Sequence, residues 1–254
     1  MLITPNRNDL NRIVILNSKG GCGKTTLATN IASYYAKLGP QPTLMDYDPQ
    51  GSTTRWLEMR DPERPAIHGI TAFKKTMQAT RSWQLRVPND TQNLIIDSPA
   101  AIDHDQLREL TRDATSILVP VLPSAIDIHA ASKCIADLLL VAKVDRREKK
   151  LAVVANRTRH NTKSFDSLMR FLDSLGIPII AVLRDSQNFV RATEQGIGIC
   201  DMPPHKVHKD MDEMNRIIYW LNGWKDRGRD HQGSGTGSTA TNVTPFPNSQ
   251  QRSI

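Results

Sequence analysis

Residues 18–27 read SKGGCGKTTL, with three glycines, two lysines and two threonines in ten positions. This is a composition suited to holding phosphate. Gly20, Gly21 and Gly23 let the backbone approach an anion, so that successive N–H groups and the N-terminus of a following helix surround it. Lys24 supplies a neutralising charge, and the hydroxyl of Thr25 is placed to ligate Mg²⁺. Cys22 takes part through its backbone; at a helix N-terminus its thiol is also expected to have a lowered pKa and some reactivity. The common phosphate-loop spacing, G-x-x-x-x-G-K-[ST], fits Gly23, Lys24 and Thr25 but fails at position 18, where Ser18 stands in place of glycine and Lys19 follows.

Two further segments carry carboxylates that could serve the same site. NLIIDSPA ends an apolar run on Asp97, the residue type that holds a nucleotide's Mg²⁺, here through water. LMDYDPQGSTTRW places Asp46 and Asp48 after a short apolar run, with Pro49 and Gly51 setting a turn. At least one of the two can orient an attacking water, because phosphoryl transfer requires positioning more than covalent help. The same stretch also reads as an Asp-Pro turn with a helix cap at Ser52. Thr26 and Gln50 complete the candidate nucleotide contacts beside the loop and the turn.

The elements that must position these residues are legible as alternating apolar runs and helical segments. RIVILN (12–17) precedes TTLATNIASYYAKLG, PTLMD (42–46) precedes STTRWLEMR, and NLIID (93–97) precedes a polar segment reaching Arg112. SILVPV (116–121), a helix over 127–143, LAVVAN (151–156), a helix over 164–176, IIAVL (179–183) and a helix near 187–195 continue the pattern. Strand and helix in alternation predict an α/β fold of P-loop NTPase type: a doubly wound, mostly parallel sheet with helices on both faces. Leu168, Phe171, Leu172 and Leu175 share one helical face and are expected in the core.

At 254 residues the chain suits a single domain, expected over 1–225. Residues 226–254 are rich in Gly, Ser, Thr, Asn and Gln and cannot repay their ordering entropy, so a disordered tail is expected there. Three separated cysteines predict neither disulfides nor a zinc site, and the N-terminus has no apolar signal region, so a cytoplasmic protein is expected. Only about a dozen residues precede the first strand, too few for a helix-turn-helix module.

The net charge is +7, and the segment Lys143–Lys163 alone carries +6. It has no interleaved aromatics, which suits phosphate contacts rather than base stacking and predicts nonspecific DNA binding. Candidate contacts are Arg146, Arg147, Lys149, Lys150, Arg157, Arg159 and Lys163, joined by Arg184 and Arg191. A solvated helix end and loop is the plain alternative.

Taken together, the loop, Asp48 and Asp97 resemble the ParA/MinD family of P-loop ATPases, whose variant loop has the form K-G-G-x-G-K-T, over about Arg12 to Gly198. The resemblance implies that Lys19 is the signature lysine, reaching across an ATP-bound homodimer to the partner's nucleotide. It makes Asp48 the hydrolytic aspartate before Pro-Gln, Asp97 the Mg²⁺ aspartate and Asn156 an adenine contact. It also implies weak ATP hydrolysis stimulated by a cargo-borne adaptor, with ATP and Mg²⁺ as cofactors and a nucleoid-associated ATP dimer. The cargo would be DNA or a protein body such as a carboxysome; the DYDPQGSTTRW stretch looks most like members that move protein bodies.

Other members of the fold class are small-molecule ligases, iron-dependent electron-transfer ATPases and membrane-binding positioning ATPases similar to MinD. The last predicted helix, within 210–229, spaces Met214, Ile217, Ile218, Leu221 and Trp224 on one face. Its opposite face bears Asp210, Asp212 and Glu213 rather than lysines, so docking on the domain is expected and no membrane partner.

Overall fold

The computed structural model describes residues 9–73 and 85–227. Among these residues seven strands make one sheet: β1 (Asn11–Ile15), β2 (Thr43–Asp46), β3 (His68–Thr71), β4 (Asn93–Asp97), β5 (Ser116–Val121), β6 (Leu151–Thr158) and β7 (Ile179–Arg184). Their order is β3-β2-β4-β1-β5-β6-β7. Every pairing is parallel. The central strands are buried at every position, as a parallel sheet covered on both faces requires.

Among the described residues eight α-helices connect or follow these strands: α1 (Lys24–Leu38), α2 (Ser52–Met59), α3 (His104–Thr111), α4 (Ala125–Leu140), α5 (Lys163–Ser174), α6 (Gln187–Glu194), α7 (Pro204–Asn222) and α8 (Trp224–Arg227). On one face of the sheet Val14, Ile96, Val119 and Val153 pack with Leu107, Leu138, Leu168 and Leu172 from α3, α4 and α5. On the other, Ile13, Ile95, Leu118 and Val154 pack with Leu27, Trp56, Ala192 and Ile217 from α1, α2, α6 and α7. Each fully buried side chain of this kind stabilises the fold by about 1.5–3 kcal/mol.

The departures from the sequence reading have local causes. Strand β3 was not foreseen because HGIT is four residues long with Ile70 as its one buried position. Helix α7 begins at Pro204, six residues before the predicted segment, since proline is pre-organised for a first helical turn. Its apolar face, Met214, Ile217, Ile218 and Leu221, is buried in the core. Strand β6 runs on to Thr158, with a register irregularity between Ala155 and Thr158 and Arg157 at φ 49°. The tail expected from 226 lies, from 228 onward, outside the described residues.

Pro120 sits inside a seven-stranded sheet without breaking it. Strand β1 pairs β5 only as far as Leu118, where the chain leaves β1 for the glycine-rich loop. The Pro120 carbonyl faces that gap and accepts the Asn17 Nδ2 amide at 2.7 Å, so the missing N–H lies where no ladder bond was due.

Candidate functional site

The site is built where β1, β2 and β4 end. Register places Ile15 beside Asp97 and Asp46 beside Asp97, so two carboxylates and the start of the glycine-rich loop share one sheet edge. That is the carboxyl edge at which open α/β sheets take ligands. Helices α3, α4, α5 and α6 have N-caps from Asp103, Ser124, Thr162 and Ser186, each side chain accepting a backbone N–H. Helices α1 and α2 instead start at Gly23 and Gly51, both left-handed, with no side-chain cap. The expected cap at Ser52 is therefore corrected: Gly51 is the cap position and Ser52 the first helical residue. The first N–H groups of α1 are left for other acceptors, the arrangement that favours anions, whereas at α2 the Thr54 N–H is taken by Asp46 Oδ2 at 2.9 Å.

The loop is fastened by its own side chains. Asn17 Oδ1 accepts the Lys19 N–H at 3.0 Å, and Ser18 Oγ donates to the Ala130 carbonyl at 3.2 Å. Lys24 is buried, its Nζ donating to the carbonyls of Asn17 and Lys19 at 3.1 and 3.0 Å. Lys19 is half-buried, and its Nζ makes no hydrogen bond or ion pair among the described residues. The two lysines of the motif are thus in different states. One is folded into the loop and the other is free.

Gly23 is required on two counts. Its φ is 100°, and a Cβ there would lie 2.1 Å from Asn156 Nδ2. Around Gly20 and Gly21 a Cβ would meet no heavy atom within 4 Å, so the loop leaves open space above itself.

Asp97 is the most constrained group at this edge. Its Oδ2 accepts two hydroxyl protons, from Thr25 and from Thr53, each at 2.7 Å. Its Oδ1 is buried with no hydrogen-bond partner among the described residues. Burial pushes the carboxyl up to about 6, the two threonine bonds oppose that rise, and neighbouring Asp46 adds to it. A buried carboxylate with one oxygen satisfied and the other bare, beside a threonine hydroxyl and a lysine, is a donor set that suits a divalent cation.

Asp46 serves the turn. Its Oδ1 accepts the Asp48 N–H at 3.0 Å, and its Oδ2 accepts the N–H and hydroxyl of Thr54 at 2.9 and 2.8 Å. Burial raises its pKa as well. Asp48 is half-buried, with Oδ1 accepting the N–H of exposed Gln50 at 3.0 Å. Of the three sequence candidates for metal, then, Thr25 and Asp97 touch, while Asp48 stands on the adjoining turn without a bond to either. Thr26, on the first turn of α1, is half-buried.

Asn156 lies against the loop. Its Nδ2 donates to the Cys22 carbonyl at 2.8 Å and its Oδ1 accepts the Arg157 N–H at 2.9 Å, so both ends of the amide are engaged within the protein. The expectation of a reactive Cys22 is overturned. The thiol is fully buried, donates to the Lys19 carbonyl at 3.2 Å, and has its pKa raised by desolvation.

The basic segment is divided in space. It is not one patch, because the eight residues of β6 run through its middle and set its two halves about 23 Å apart. Before β6, Arg147 pairs with Asp145 at 2.8 Å and Lys150 with Glu148 at 2.7 Å. Lys149 adopts a left-handed turn conformation at φ 50°, and Arg146 is exposed. At the end of β6 Arg157, and just after it Arg159, both pair with Asp185, which lowers that carboxyl chiefly through the Arg159 hydrogen bond. Arg184 is bound to the fully buried Asp210 at 2.8 Å. Lys163 and Arg191 are exposed and make no ion pair among the described residues.

Sequence reasoning missed two groups. Thr53 and Thr54 tie α2 to Asp97 and Asp46; the adjacent threonines just after a turn glycine were the available signal. Lys206 and Lys209, on the first turns of α7, are exposed beside α6, where Asn188 Nδ2 donates to the Lys206 carbonyl at 3.0 Å. Arg191 lies one turn along α6 from Asn188, so three cations share this junction.

A parallel sheet in this order, with a glycine-rich loop running from its central strand into α1 and a threonine-bound aspartate on the next strand, defines a P-loop nucleotide-binding fold. The chain belongs to the CobQ/CobB/MinD/ParA nucleotide binding domain family, whose profile it matches over residues 13–199. It is 27% identical over 207 residues to the maintenance of carboxysome distribution protein A of Halothiobacillus neapolitanus, covering 81% of this chain and 94% of that one. With the protein of the same name from Gloeobacter kilaueensis it shares 28% over 197 residues, 74% of this chain and 82% of the relative. Among solved structures, the ATP complex of Cyanothece McdA has a similar fold, with a TM-score of 0.61 at 15% identity over 87% of this chain and 97% of that one.

Proposed function

We propose that this protein is a positioning ATPase: two copies close around ATP and Mg²⁺, the dimer binds nucleoid DNA without sequence preference in the cytoplasm, and a cargo-borne adaptor stimulates slow hydrolysis to release it. The cargo this reading favours is a protein body of the carboxysome kind, in keeping with the relatives named for carboxysome distribution. The observation that carries it is the contrast between the loop's two lysines. Lys24 is folded onto the carbonyls of its own loop, whereas Lys19 keeps an unengaged ammonium on the same loop. A second cation that makes no bond among the described residues is what a site completed by another subunit requires.

Within each subunit Lys24 and the backbone of Gly20, Gly21, Cys22 and Gly23 hold the phosphates, with Thr26, Gln50 and Asn156 as further nucleotide contacts. Lys19 brings a positive charge to the partner's phosphates, the logic of a cation supplied in trans. Asp48 orients the attacking water from the turn that Asp46 and Thr54 fix. Thr25, Asp97 and Asp48 are the residues that would hold Mg²⁺, whose chemistry there is to offset phosphate charge.

Two variants test this reading by sedimentation and DNA retention with ATP. Lys19→Ala is expected to bind nucleotide but form no ATP dimer. Asp48→Ala is expected to stay dimeric and DNA-bound, with hydrolysis reduced at least about a hundredfold. Equal DNA binding with and without ATP in the unaltered protein would overturn the proposal.

A further inference from the structure

Nothing in the general phosphate-loop chemistry calls for Thr53, yet it is fully buried and spends its hydroxyl on Asp97. Asp97 Oδ2 has two acceptor directions, and Thr25 and Thr53 occupy both at 2.7 Å. With Oδ2 held from two sides, the carboxylate cannot rotate without losing a charge-assisted bond, and bare Oδ1 is kept facing away from both threonines.

The helix that carries Thr53 is itself fixed at both ends. At its start Thr54 binds Asp46, whose other oxygen holds the turn bearing Asp48. Just past its last residue, the buried Arg60 guanidinium pairs with Asp201 at 3.2 Å and lies 5.5 Å from the Trp56 ring centre. Helix α2 is therefore a strut and not a loose switch segment. A connected path of hydrogen bonds runs from Asp97 to Thr53, along α2 to Thr54, and through Asp46 to the turn that holds Asp48.

We infer that Thr53 is a positioning residue: its hydroxyl sets the orientation of the Asp97 carboxylate toward a divalent cation and couples that carboxylate to the Asp48 turn through α2. The inference rests on the nucleotide reading above, because the cation it serves accompanies the phosphates. It is distinct from a packing role, since valine would fill the same volume without donating a proton. A residue that orients a metal-facing carboxylate typically changes metal affinity about 10–100-fold when lost.

The test is a titration of MgCl₂ into the full chain with a fluorescent ATP analogue, comparing the unaltered protein, Thr53→Val and Thr53→Ser. The valine variant is expected to need about tenfold more Mg²⁺ for half-maximal tight binding, while its affinity in EDTA is unchanged. Thr53→Ser, which keeps the hydroxyl and loses a methyl, is expected to follow the unaltered protein in Mg²⁺ requirement even if it melts earlier. An unaltered protein that binds no ATP analogue at any Mg²⁺ concentration would overturn the nucleotide reading and this inference together, and one whose nucleotide affinity ignores Mg²⁺ would overturn the inference. A normal Mg²⁺ response in the unaltered protein, matched by Thr53→Val, would overturn the inference alone. So would a serine variant as impaired as the valine, because that result assigns the loss to packing.

Discussion

The glycine-rich loop and the basic segment are both obvious in the sequence, and folding treats them in opposite ways. The loop's residues stay together: Lys24, Thr25 and Gly23 lie within one turn, and Thr25 meets Asp97 from 72 positions away. The basic residues, close together in the chain, are parted by β6, and four of them, Arg147, Lys150, Arg157 and Arg159, are paired with nearby carboxylates. The difference is one of length scale. A motif whose function is carried by backbone spacing over a few residues survives folding, because a loop and a helix turn keep those residues within a few ångströms. A charge cluster counted over twenty residues does not, because a strand rises about 3.3 Å per residue and separates whatever flanks it.

The contrast is sharpest between Lys24 and the cations counted with the basic segment. Lys24→Ala is expected to lower nucleotide affinity at least about a hundredfold, measured by equilibrium binding of labelled ATP, because it removes the charge at the centre of the phosphate loop. Charge reversal at Arg147 in the basic segment is expected to leave that affinity unchanged. Arg184, counted with the basic residues on sequence alone, behaves as part of the fold. It binds Asp210, a fully buried carboxylate whose other described partner is Asn188 at 2.6 Å. Arg184→Ala is expected to destabilise the protein by about 3 kcal/mol in chemical denaturation, since it strands a buried charge. A variant as stable as the parent but weaker on DNA would return Arg184 to the binding surface.

Much of the fold was legible because the buried parallel strands are apolar throughout and the helices between them carry regular apolar faces. Val14, Ile96 and Val119 needed no tertiary information to be placed in a core. The phosphate loop, Asp97 and the turn after β2 were legible for the same local reason. What was hidden depended on contacts between distant segments. Thr53 looks like any residue in a first helical turn until β4 brings Asp97 against it, and the residues alone do not separate Asp46 from Asp48, where the resemblance favours Asp48; the register buries the first and leaves the second on the turn. The Cys22 thiol was misjudged because desolvation by burial outweighs the lowering from the Lys24 charge and the loop's backbone N–H groups. Strand β3 was too short to declare itself, and Lys206 and Lys209 gained meaning only when α7 was seen to start beside α6.

The smallest expected effect concerns which cations meet DNA. Ion-paired arginines release few counterions on binding, because their carboxylate partners already neutralise them, whereas a free lysine or arginine contributes about 0.9 to the slope of log K against log salt for each phosphate it neutralises. The α6–α7 junction offers Arg191, Lys206 and Lys209, exposed and without ion pairs among the described residues. The turn before β6 offers Arg147 and Lys150, each already paired. Replacing the three junction cations by glutamine is expected to lower the salt slope by about 3 and weaken DNA binding uniformly across sequences. Replacing Arg147 and Lys150 in the same way is expected to change the slope by less than about 0.5, as measured by fluorescence anisotropy between low and physiological salt. The reverse ranking would mean that the carboxylates before β6 release their arginine and lysine when DNA arrives, and that the segment found by counting charges is the contact surface even though β6 divides it.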